Sequence, residues 1–139
     1  MSKPDLLVTA AVILWDGRLM LARRAANKSL AGYWELPGGK VEAGEDERDC
    51  LRRELKEELD LDAEILDLIA ENIHEYEEVI VKLRAYIAKP ARLQVALRDH
   101  DAVAWVARDE VADYRIAPAD IPLLEPIWKS NGIAVGNGG

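Results

Sequence analysis

The most chemically informative part of the chain is a glycine pair followed by an acidic run of helix length, which extends from Gly38 to Leu61. Within it, Glu54, Glu57 and Glu58 have the i, i+3 and i+4 spacing of residues that share one face of an α-helix. Carboxylates this close repel one another unless a cation lies between them, and their oxygens suit Mg²⁺ or Mn²⁺ shared with substrate phosphates. The run therefore predicts a divalent-metal site for breaking a pyrophosphate bond.

The glycine pair and two charged residues are expected to shape the approach to those carboxylates. Because Gly38 and Gly39 have no Cβ, the backbone can turn tightly there, approach a ligand and offer a carbonyl oxygen to a metal. Arg53 cannot bind a cation, so we expect it to fix a loop carboxylate such as Glu45 against the helix through a charge-assisted hydrogen bond. A helix rich in Glu and Lys is, on its own, typical of a solvated face. The glycines, Glu45 and Arg53 at their spacing favour the metal site instead.

The surrounding pattern predicts an α+β fold, an α/β/α sandwich around a mixed sheet. The acidic helix is predicted over residues 45–59, and Asp16-Gly17 is a hairpin turn signal. Residues 1–130 are expected to form one domain, and the glycine-rich residues 131–139 a loose tail. The other predicted elements are strands at 6–15, 19–22, 34–36, 62–73, 79–88 and 102–107, a helical turn at 111–114 and a last helix at 121–129.

Composition and charge exclude several classes of protein. With 139 residues, 50% of them hydrophobic, the chain can bury one core. A net charge of −8 argues against a polymeric nucleic acid as partner, but not against a small nucleotide that arrives with its own metal. The sequence has no apolar run of membrane-spanning length, no signal-peptide pattern and a single cysteine, which fits a reducing compartment. We therefore expect a cytoplasmic protein without a membrane partner, either a monomer or a homodimer.

The acidic run resembles the Nudix box, G-x5-E-x7-R-E-U-x-E-E-x-G-U, in which U is a bulky aliphatic residue. The box positions are occupied by Gly39, Glu45, Arg53-Glu54-Leu55, Glu57-Glu58 and Leu61. Asp60 departs from the pattern, because the box has a glycine there that caps the helix end in a left-handed conformation. Asp tolerates that conformation better than most residues do, so we expect a small cost that is confined to the fold.

Flanking stretches extend the resemblance over most of the chain. Residues 21–25 and 34–40 resemble the MutT-type branch of the Nudix hydrolases, and residues 117–125 are similar to the bacterial CTP pyrophosphohydrolases of that branch. The resemblance implies the Nudix fold, with hydrolysis of a nucleoside triphosphate to a nucleoside monophosphate and pyrophosphate. It also implies Mg²⁺ as cofactor, with Mn²⁺ as a possible substitute.

The same resemblance assigns roles by position. The implied metal ligands are Glu54, Glu57, Glu58, the carbonyl of Gly38 and Asp99, a loop acid in a position where the family often has Glu. Arg53 and Glu45 complete the implied catalytic set. The implied substrate-binding residues are Arg23, Arg24, Trp34, Glu35, Leu36, Gly38, Gly39, Lys40 and Asp120. Arg24 is a better positional match than Arg23 for a phosphate or sugar contact, and Trp34 can either wall the base or belong to the core.

Asp120 stands where MutT-type enzymes have an Asn that contacts the base. As a carboxylate it accepts hydrogen bonds only, which favours a base edge with an amino group, such as N4 of cytosine, although guanine and 8-oxoguanine edges also donate. The alternative role is the N-cap of the helix that begins at Ile121, and both roles can coexist. His100 can contact the substrate or support a metal ligand, although a lone loop histidine is more typically solvated.

We expect an enzyme that removes damaged, modified or surplus nucleotides, with (d)CTP or modified nucleotides such as 8-oxo-dGTP as substrates. One alternative is a Nudix hydrolase of another diphosphate, such as ADP-ribose or a dinucleoside polyphosphate. Another is a non-catalytic Nudix domain that senses a ligand. An acidic helical interaction module would lie outside the superfamily, but it poorly explains the sequence Pro37-Gly38-Gly39.

Overall fold

The computed structural model describes residues 3–130, and in that part of the chain two four-stranded sheets pack with two α-helices. The strands are β1 (Asp5–Val12), β2 (Leu14–Trp15), β3 (Arg18–Arg24), β4 (Trp34–Glu35), β5 (Gly38–Lys40), β6 (Ala63–Glu75), β7 (Ile80–Pro90) and β8 (His100–Ala107). The helices are α1 (Glu47–Leu59) and α2 (Leu124–Ser130), with 3₁₀ turns at Arg108–Asp113 and Ile121–Leu123. The predicted tail at 131–139 lies outside the described residues.

The two sheets differ in strand direction. The first has the order β5-β1-β7-β6 and is mixed, since β1 runs parallel to β7 and antiparallel to β5. In the second, β3 pairs antiparallel with β2, β4 and β8. Within residues 3–130, no helix has the length and apolar character needed to cross a membrane.

Helices cover both faces of the sheet layer, as the sandwich prediction requires. Ala10 and Val12 belong to the core that includes Ile127 of α2, whereas Ala11 and Ile13 belong to the core that includes Leu55 of α1. A strand buried on both faces reads as a continuous apolar run, which is why the segment lacks polar alternation. The α+β sandwich with a mixed sheet is confirmed.

The glycine pair forms a strand rather than the tight turn that the sequence predicts there. In β5, Gly38 lies opposite Ala10 and Gly39 opposite Thr9 in an antiparallel pairing with β1. A Cβ on Gly38 would overlap the Thr9 carbonyl, and one on Gly39 would overlap the carboxylate of Glu54. Glycine is required here for close approach to the neighbouring strand and helix, rather than for a turn.

Several predicted boundaries also move. The strand predicted at 6–15 breaks after Val12, and the Asp16-Gly17 turn is confirmed, with φ of 52° and 73°. The acidic helix begins at Glu47, because Asp46 is its N-cap and accepts hydrogen bonds from two backbone N–H groups of the first turn. The last helix divides into a 3₁₀ turn, which contains Pro122, followed by α2. Asp60 ends α1 in the left-handed conformation, with φ 55° and ψ 38°, as expected.

Candidate active site

Arg53 is the centre of the acidic cluster on α1. Its guanidinium makes a two-point ion pair with Glu45, with Nε donating to Oε2 at 2.7 Å and Nη2 to Oε1 at 2.9 Å. Nη1 donates to Glu54 at 3.2 Å and to Glu57 at 3.0 Å, and Nη2 reaches the Lys40 carbonyl at 3.4 Å. The hydrogen bond from Arg53 is the main cause that holds the pKa of Glu45 at about 2, below its ordinary value of 4.5. Arg53 therefore ties the loop and β5 to α1.

Four acids line a cavity of about 290 Å³ at the end of β5: Glu35, Glu54, Glu58 and Asp99. Burial raises the pKa of Glu54, and burial together with a hydrogen bond to Asp99 raises the pKa of Glu58. Glu58 Oε1 is buried and has no hydrogen-bond partner among residues 3–130. Desolvated carboxylates with an unsatisfied oxygen favour a bound cation or a proton.

Glu57, the third predicted ligand on α1, does not line this cavity. Its side chain is 56% exposed and pairs with Arg53 Nη1. In the part of the chain that the structure describes, no three His, Cys, Asp or Glu side chains converge as a metal centre. The ligand role of Glu57 stays a prediction, and it requires the side chain to leave Arg53.

Cationic side chains line the same cavity as the acids. Arg24, Lys28 and Lys40 all contribute to its wall, and Lys28 Nζ lies 3.7 Å from Asp99 Oδ1. This combination of carboxylates and cations matches a polyphosphate that carries a metal ion, because the phosphates need both counter-charges. We call this smaller cavity, together with the Arg53 cluster, the acid end of the site.

A partly buried network connects β3, β4 and β8 behind the acid end. Arg24 Nη1 donates to both carboxylate oxygens of Glu35, at 3.1 and 3.2 Å, and His100 Nε2 lies 2.9 Å from Glu35 Oε2. His100 is 8% exposed, and its Nδ1 is buried without a partner in the described residues. The prediction that His100 is solvated is wrong, because the residue begins β8 and pairs with Arg24 of β3.

A larger cavity of about 650 Å³ adjoins the acid end. The residues common to both cavities are Arg24, Glu35, Gly38, Gly39 and Lys40. The additional wall is largely apolar and includes Leu6, Val8, Leu30, Leu36, Val81, Leu83, Ala117 and Ala119. These residues come from distant parts of the chain, so the cavity exists only in the folded protein. We call it the base end of the site.

Asp120 lies in the base end and is only 6% exposed. Its Oδ2 accepts a hydrogen bond from the backbone N–H of Leu36 at 2.9 Å, and its side chain makes no capping bond. The N-cap prediction is wrong because the Asp120 backbone is αR, with φ −86° and ψ −24°, whereas a capping residue is typically extended.

The environment of Asp120 also changes its chemistry. Burial first, and then the negative charge of Glu35, raise its pKa from 3.8 to about 8. The carboxyl group is therefore mostly neutral at pH 7, and it can donate a hydrogen bond as well as accept one. The raised pKa favours the neutral carboxyl over the acceptor-only carboxylate that the sequence predicts.

Two of the residues expected at the substrate lie outside both cavities. Arg23 pairs with Asp101 at 2.6 Å, and its guanidinium lies 5.5 Å from the centre of the Trp34 ring. Trp34 packs edge-on against Tyr114 and borders the core. Successive strand residues point to opposite faces of a sheet. Arg23 lies opposite Trp34 and shares its face, whereas Arg24 and Glu35 lie on the other face, toward the site.

The residues that line the cavities and that sequence reasoning missed include Lys28 and Tyr76. His100 lines the smaller cavity, which is consistent with the alternative that it contacts the substrate. Lys28 and Tyr76 lie in the loop after β3 and in the turn after β6, and no local pattern marks either of them.

The residues present fit a divalent cation. The unpartnered Oε1 of Glu58 and the carboxylate of Glu54, which lies where a Cβ of Gly39 would be, leave oxygen donors available at the acid end. An all-oxygen donor set suits Mg²⁺ and Mn²⁺ better than the softer metals.

An α/β/α sandwich with carboxylates on one helix and phosphate-matching cations beside them is the arrangement that a hydrolase of phosphoric anhydrides requires. The family model that describes the NUDIX domain matches residues 5–126, most of the chain. The protein therefore belongs to the Nudix family, and it is a Nudix hydrolase, a pyrophosphohydrolase.

Known proteins from several bacteria resemble the chain over nearly its whole length. It is 41% identical over 118 residues to the CTP pyrophosphohydrolase of Escherichia coli (strain K12), covering 85% of this chain and 87% of the relative. It is 29% identical over 125 residues to the 8-oxo-dGTP diphosphatase of Haemophilus influenzae, covering 89% and 92%. The solution structure of the E. coli ORF135 protein superimposes with a TM-score of 0.81 at 36% identity and covers 96% of each chain.

Proposed function

We propose that this protein is a Mg²⁺-dependent nucleoside triphosphate pyrophosphohydrolase, which converts a nucleoside triphosphate and water to a nucleoside monophosphate and pyrophosphate. Its substrates would be (d)CTP or modified nucleotides such as 8-oxo-dGTP, which it would remove from the nucleotide pool. The observation that carries the proposal is the continuity of the two cavities, one charged and one largely apolar, through shared residues of β3, β4 and β5.

The distribution of charge supports one orientation of the nucleotide. Lys28 contributes to the acid end only, whereas Glu77 and Glu78 contribute to the base end only. The acids of the acid end would share a cation with the phosphates, whereas Glu77 and Glu78 would only repel them. The triphosphate would therefore lie at the acid end and the base among the apolar residues. A volume of about 650 Å³ is within the range of small-molecule pockets and can hold a base with its sugar.

In the proposed reaction, Glu54, Glu58 and Asp99 would hold the cation, with the Gly38 carbonyl as a further oxygen ligand. The cation would neutralise phosphate oxygens and lower the pKa of a bound water. Arg24, Lys28 and Lys40 would bind the phosphate oxygens, and Arg53 would keep the carboxylates in position. Glu58, whose pKa is raised by burial, would hold the cation through its unpartnered Oε1 and accept the proton of the attacking water at Oε2.

The relatives support a nucleoside triphosphate as substrate, since the two named above are a CTP pyrophosphohydrolase and an 8-oxo-dGTP diphosphatase. The presence of all three box carboxylates, Glu54, Glu57 and Glu58, argues against a non-catalytic ligand sensor.

The proposal is tested by incubating the purified protein and Mg²⁺ with canonical, oxidised and methylated nucleoside triphosphates and identifying the products. The expected products are pyrophosphate and the nucleoside monophosphate from at least one substrate. Orthophosphate as the first product would contradict the proposal. So would hydrolysis of ADP-ribose or dinucleoside polyphosphates together with inactivity on every triphosphate. The Glu58→Gln variant, assayed in parallel, identifies hydrolysis by a contaminating enzyme.

A further inference from the structure

Tyr76 closes the turn between β6 and β7, and its side chain lines the base end. The backbone N–H of Tyr76 donates to the Val79 carbonyl at 2.8 Å, and the Tyr76 carbonyl accepts a hydrogen bond from Lys3 Nζ at 2.9 Å. The ring meets the His74 ring edge-on, with 4.5 Å between centroids, and packs against the core. Contacts on the backbone and the ring thus position Tyr76 before any ligand binds.

The hydroxyl of Tyr76 accepts a hydrogen bond from the backbone N–H of Ala119 at 3.3 Å, one residue from Asp120. Burial, and to a lesser degree the nearby carboxyls of Asp120 and Glu35, raise the pKa of Tyr76 above its ordinary value of 10.0, so the phenol keeps its proton. Because the hydroxyl acts as an acceptor toward Ala119, its own O–H remains available as a donor. Among residues 3–130, the hydroxyl donates no hydrogen bond of its own.

Asp120 supplies the complementary group in the same cavity. Its Oδ2 is engaged by the Leu36 N–H, while Oδ1 has no hydrogen-bond partner in the described residues. The base end therefore combines a phenolic donor with a carboxyl group whose second oxygen can accept.

We propose that Tyr76 is a second base-reading residue, which donates its hydroxyl hydrogen to an acceptor on the same base edge that meets Asp120. This inference rests on the proposed nucleotide substrate. The pair fits a base whose edge carries an amino donor next to an acceptor, as cytosine does with its N4 amino group and the adjacent ring nitrogen. Tyr76 would then help to decide which nucleotide binds, without taking part in bond breaking.

The competing explanation is that Tyr76 only holds the segment around Ala119 in place. Asn72 provides a matched control, because its Nδ2 donates to the Ala119 carbonyl at 3.0 Å but its side chain does not line either cavity. Removal of the Asn72 amide loosens the same segment and leaves the Tyr76 hydroxyl in the cavity.

The test compares Tyr76→Phe and Asn72→Ala with the wild type by calorimetric binding of CMP, UMP, AMP, GMP and 8-oxo-dGMP in the presence of EDTA. Tyr76→Phe should lower the affinity for the best-bound monophosphate roughly five- to tenfold, which corresponds to the loss of about one hydrogen bond. It should lower the affinity for the other monophosphates less. Asn72→Ala should affect all five alike. An equal change for all five nucleotides in Tyr76→Phe, or no change, would overturn the inference. Thermal melting shows that both variants are folded.

The same measurements separate this inference from the proposed function. Suppose that Tyr76→Phe reduces the differences in affinity among the five monophosphates, but the wild type releases no pyrophosphate from any triphosphate. The proposed function then fails and the role of Tyr76 stands. If the wild type releases pyrophosphate and Tyr76→Phe changes every nucleotide equally, only the role of Tyr76 fails. An absence of nucleotide binding, together with inactivity on triphosphates, would overturn both.

Discussion

The two ends of the site are held by different forces. At the acid end, one guanidinium organises carboxylates that remain partly exposed, and such ion pairs fix the positions of charges more than they add stability. At the base end, backbone hydrogen bonds and apolar side chains enclose a carboxyl that is 6% exposed. A hydrogen bond away from water discriminates more strongly between ligands, because an unmatched group stays desolvated. Substitutions at the acid end should therefore change turnover for every nucleotide, and those at the base end should change which nucleotide is preferred.

The largest effect is expected from Glu58→Gln. Loss of a carboxylate that would hold the cation or accept the proton should lower kcat by roughly 10²- to 10⁴-fold for all nucleotides. Burial already disfavours the ionised form of Glu58, so a neutral amide of the same shape should leave thermal stability unchanged or slightly higher. Steady-state kinetics and thermal melting measure both quantities. Unchanged turnover would remove Glu58 from the reaction.

Glu57→Gln tests whether an exposed carboxylate joins the acid end during catalysis. If Glu57 leaves Arg53 to bind the cation, its loss should also lower kcat by orders of magnitude, although its side chain is 56% exposed in the structure. Calorimetric titration with Mn²⁺ should show weaker metal binding in the same variant. Turnover and metal affinity equal to those of the wild type would assign Glu57 to the ion pair alone.

Arg53→Ala should have a smaller effect on turnover and a larger effect on stability. We expect a 10- to 100-fold loss of kcat, because the carboxylates lose the group that orients them, and a destabilisation of about 1–3 kcal/mol. Arg52→Ala is the matched control, since this neighbour is exposed and its one ion pair within residues 3–130 is with Asp49. Its stability should lie within about 0.5 kcal/mol of the wild type. Equal effects of the two substitutions would contradict the central position of Arg53.

Asp120→Asn should separate selection from chemistry. We expect the ratio of kcat/KM between the best and second-best nucleotide to change roughly five- to tenfold, while kcat for the best changes less. In the wild type this ratio should also change as the pH rises through about 8, where the carboxyl ionises, and it should not change in Asp120→Asn. A ranking that is the same in both proteins and at both ends of this pH range would leave Asp120 with its bond to Leu36 as its only role.

The stability of Asp120→Asn relative to the wild type should depend on pH with a definite sign. The folded pKa of about 8 is higher than the ordinary value of 3.8, so between these values the folded state holds a proton that the unfolded state has released. Stability of the wild type therefore falls as the pH rises through this window, and the contribution is lost above about pH 8. Denaturant titrations at pH 5, 7 and 9 should show that the free energy of unfolding of Asp120→Asn rises relative to that of the wild type as the pH increases.

The Arg53 cluster could be predicted from the sequence, because its parts lie within one short stretch, whereas Arg24, Lys28 and Asp99 of the same end lie far from it in the chain. The i, i+3, i+4 spacing and the charge match of Arg53 with Glu45 are local regularities, and the ion pair is present as expected. The strand at Gly38 escaped prediction, because glycine has weak strand preference and only the contact with Thr9 and Ala10 explains it.

The base end could be predicted only in part. Asp120 was found through a family resemblance, but its pKa depends on burial among residues from β1, β4 and β7, which the sequence places far apart. The faces of Arg23 and Arg24 depend on strand register, which a one-residue shift would reverse. Tyr76 lies in a turn between two long strands, and no periodic pattern announces that its hydroxyl reaches Ala119.

The smallest effect is expected at Asp60, where an unfavourable backbone conformation and favourable ion pairs oppose each other. Its left-handed backbone costs about 1 kcal/mol relative to glycine, but its carboxylate pairs with Lys56 at 3.2 Å and with Arg92 at 3.1 Å. Asp60→Gly relieves the backbone strain and loses the ion pairs, so the free energy of unfolding should change by less than about 1 kcal/mol, with kcat unchanged. Asp60→Ala loses the pairs and keeps the strain, so it should be less stable than either protein. If Asp60→Ala instead equals the wild type in chemical denaturation, the pairs with Lys56 and Arg92 contribute nothing, and the difference between Asp60→Gly and Asp60→Ala measures the strain alone.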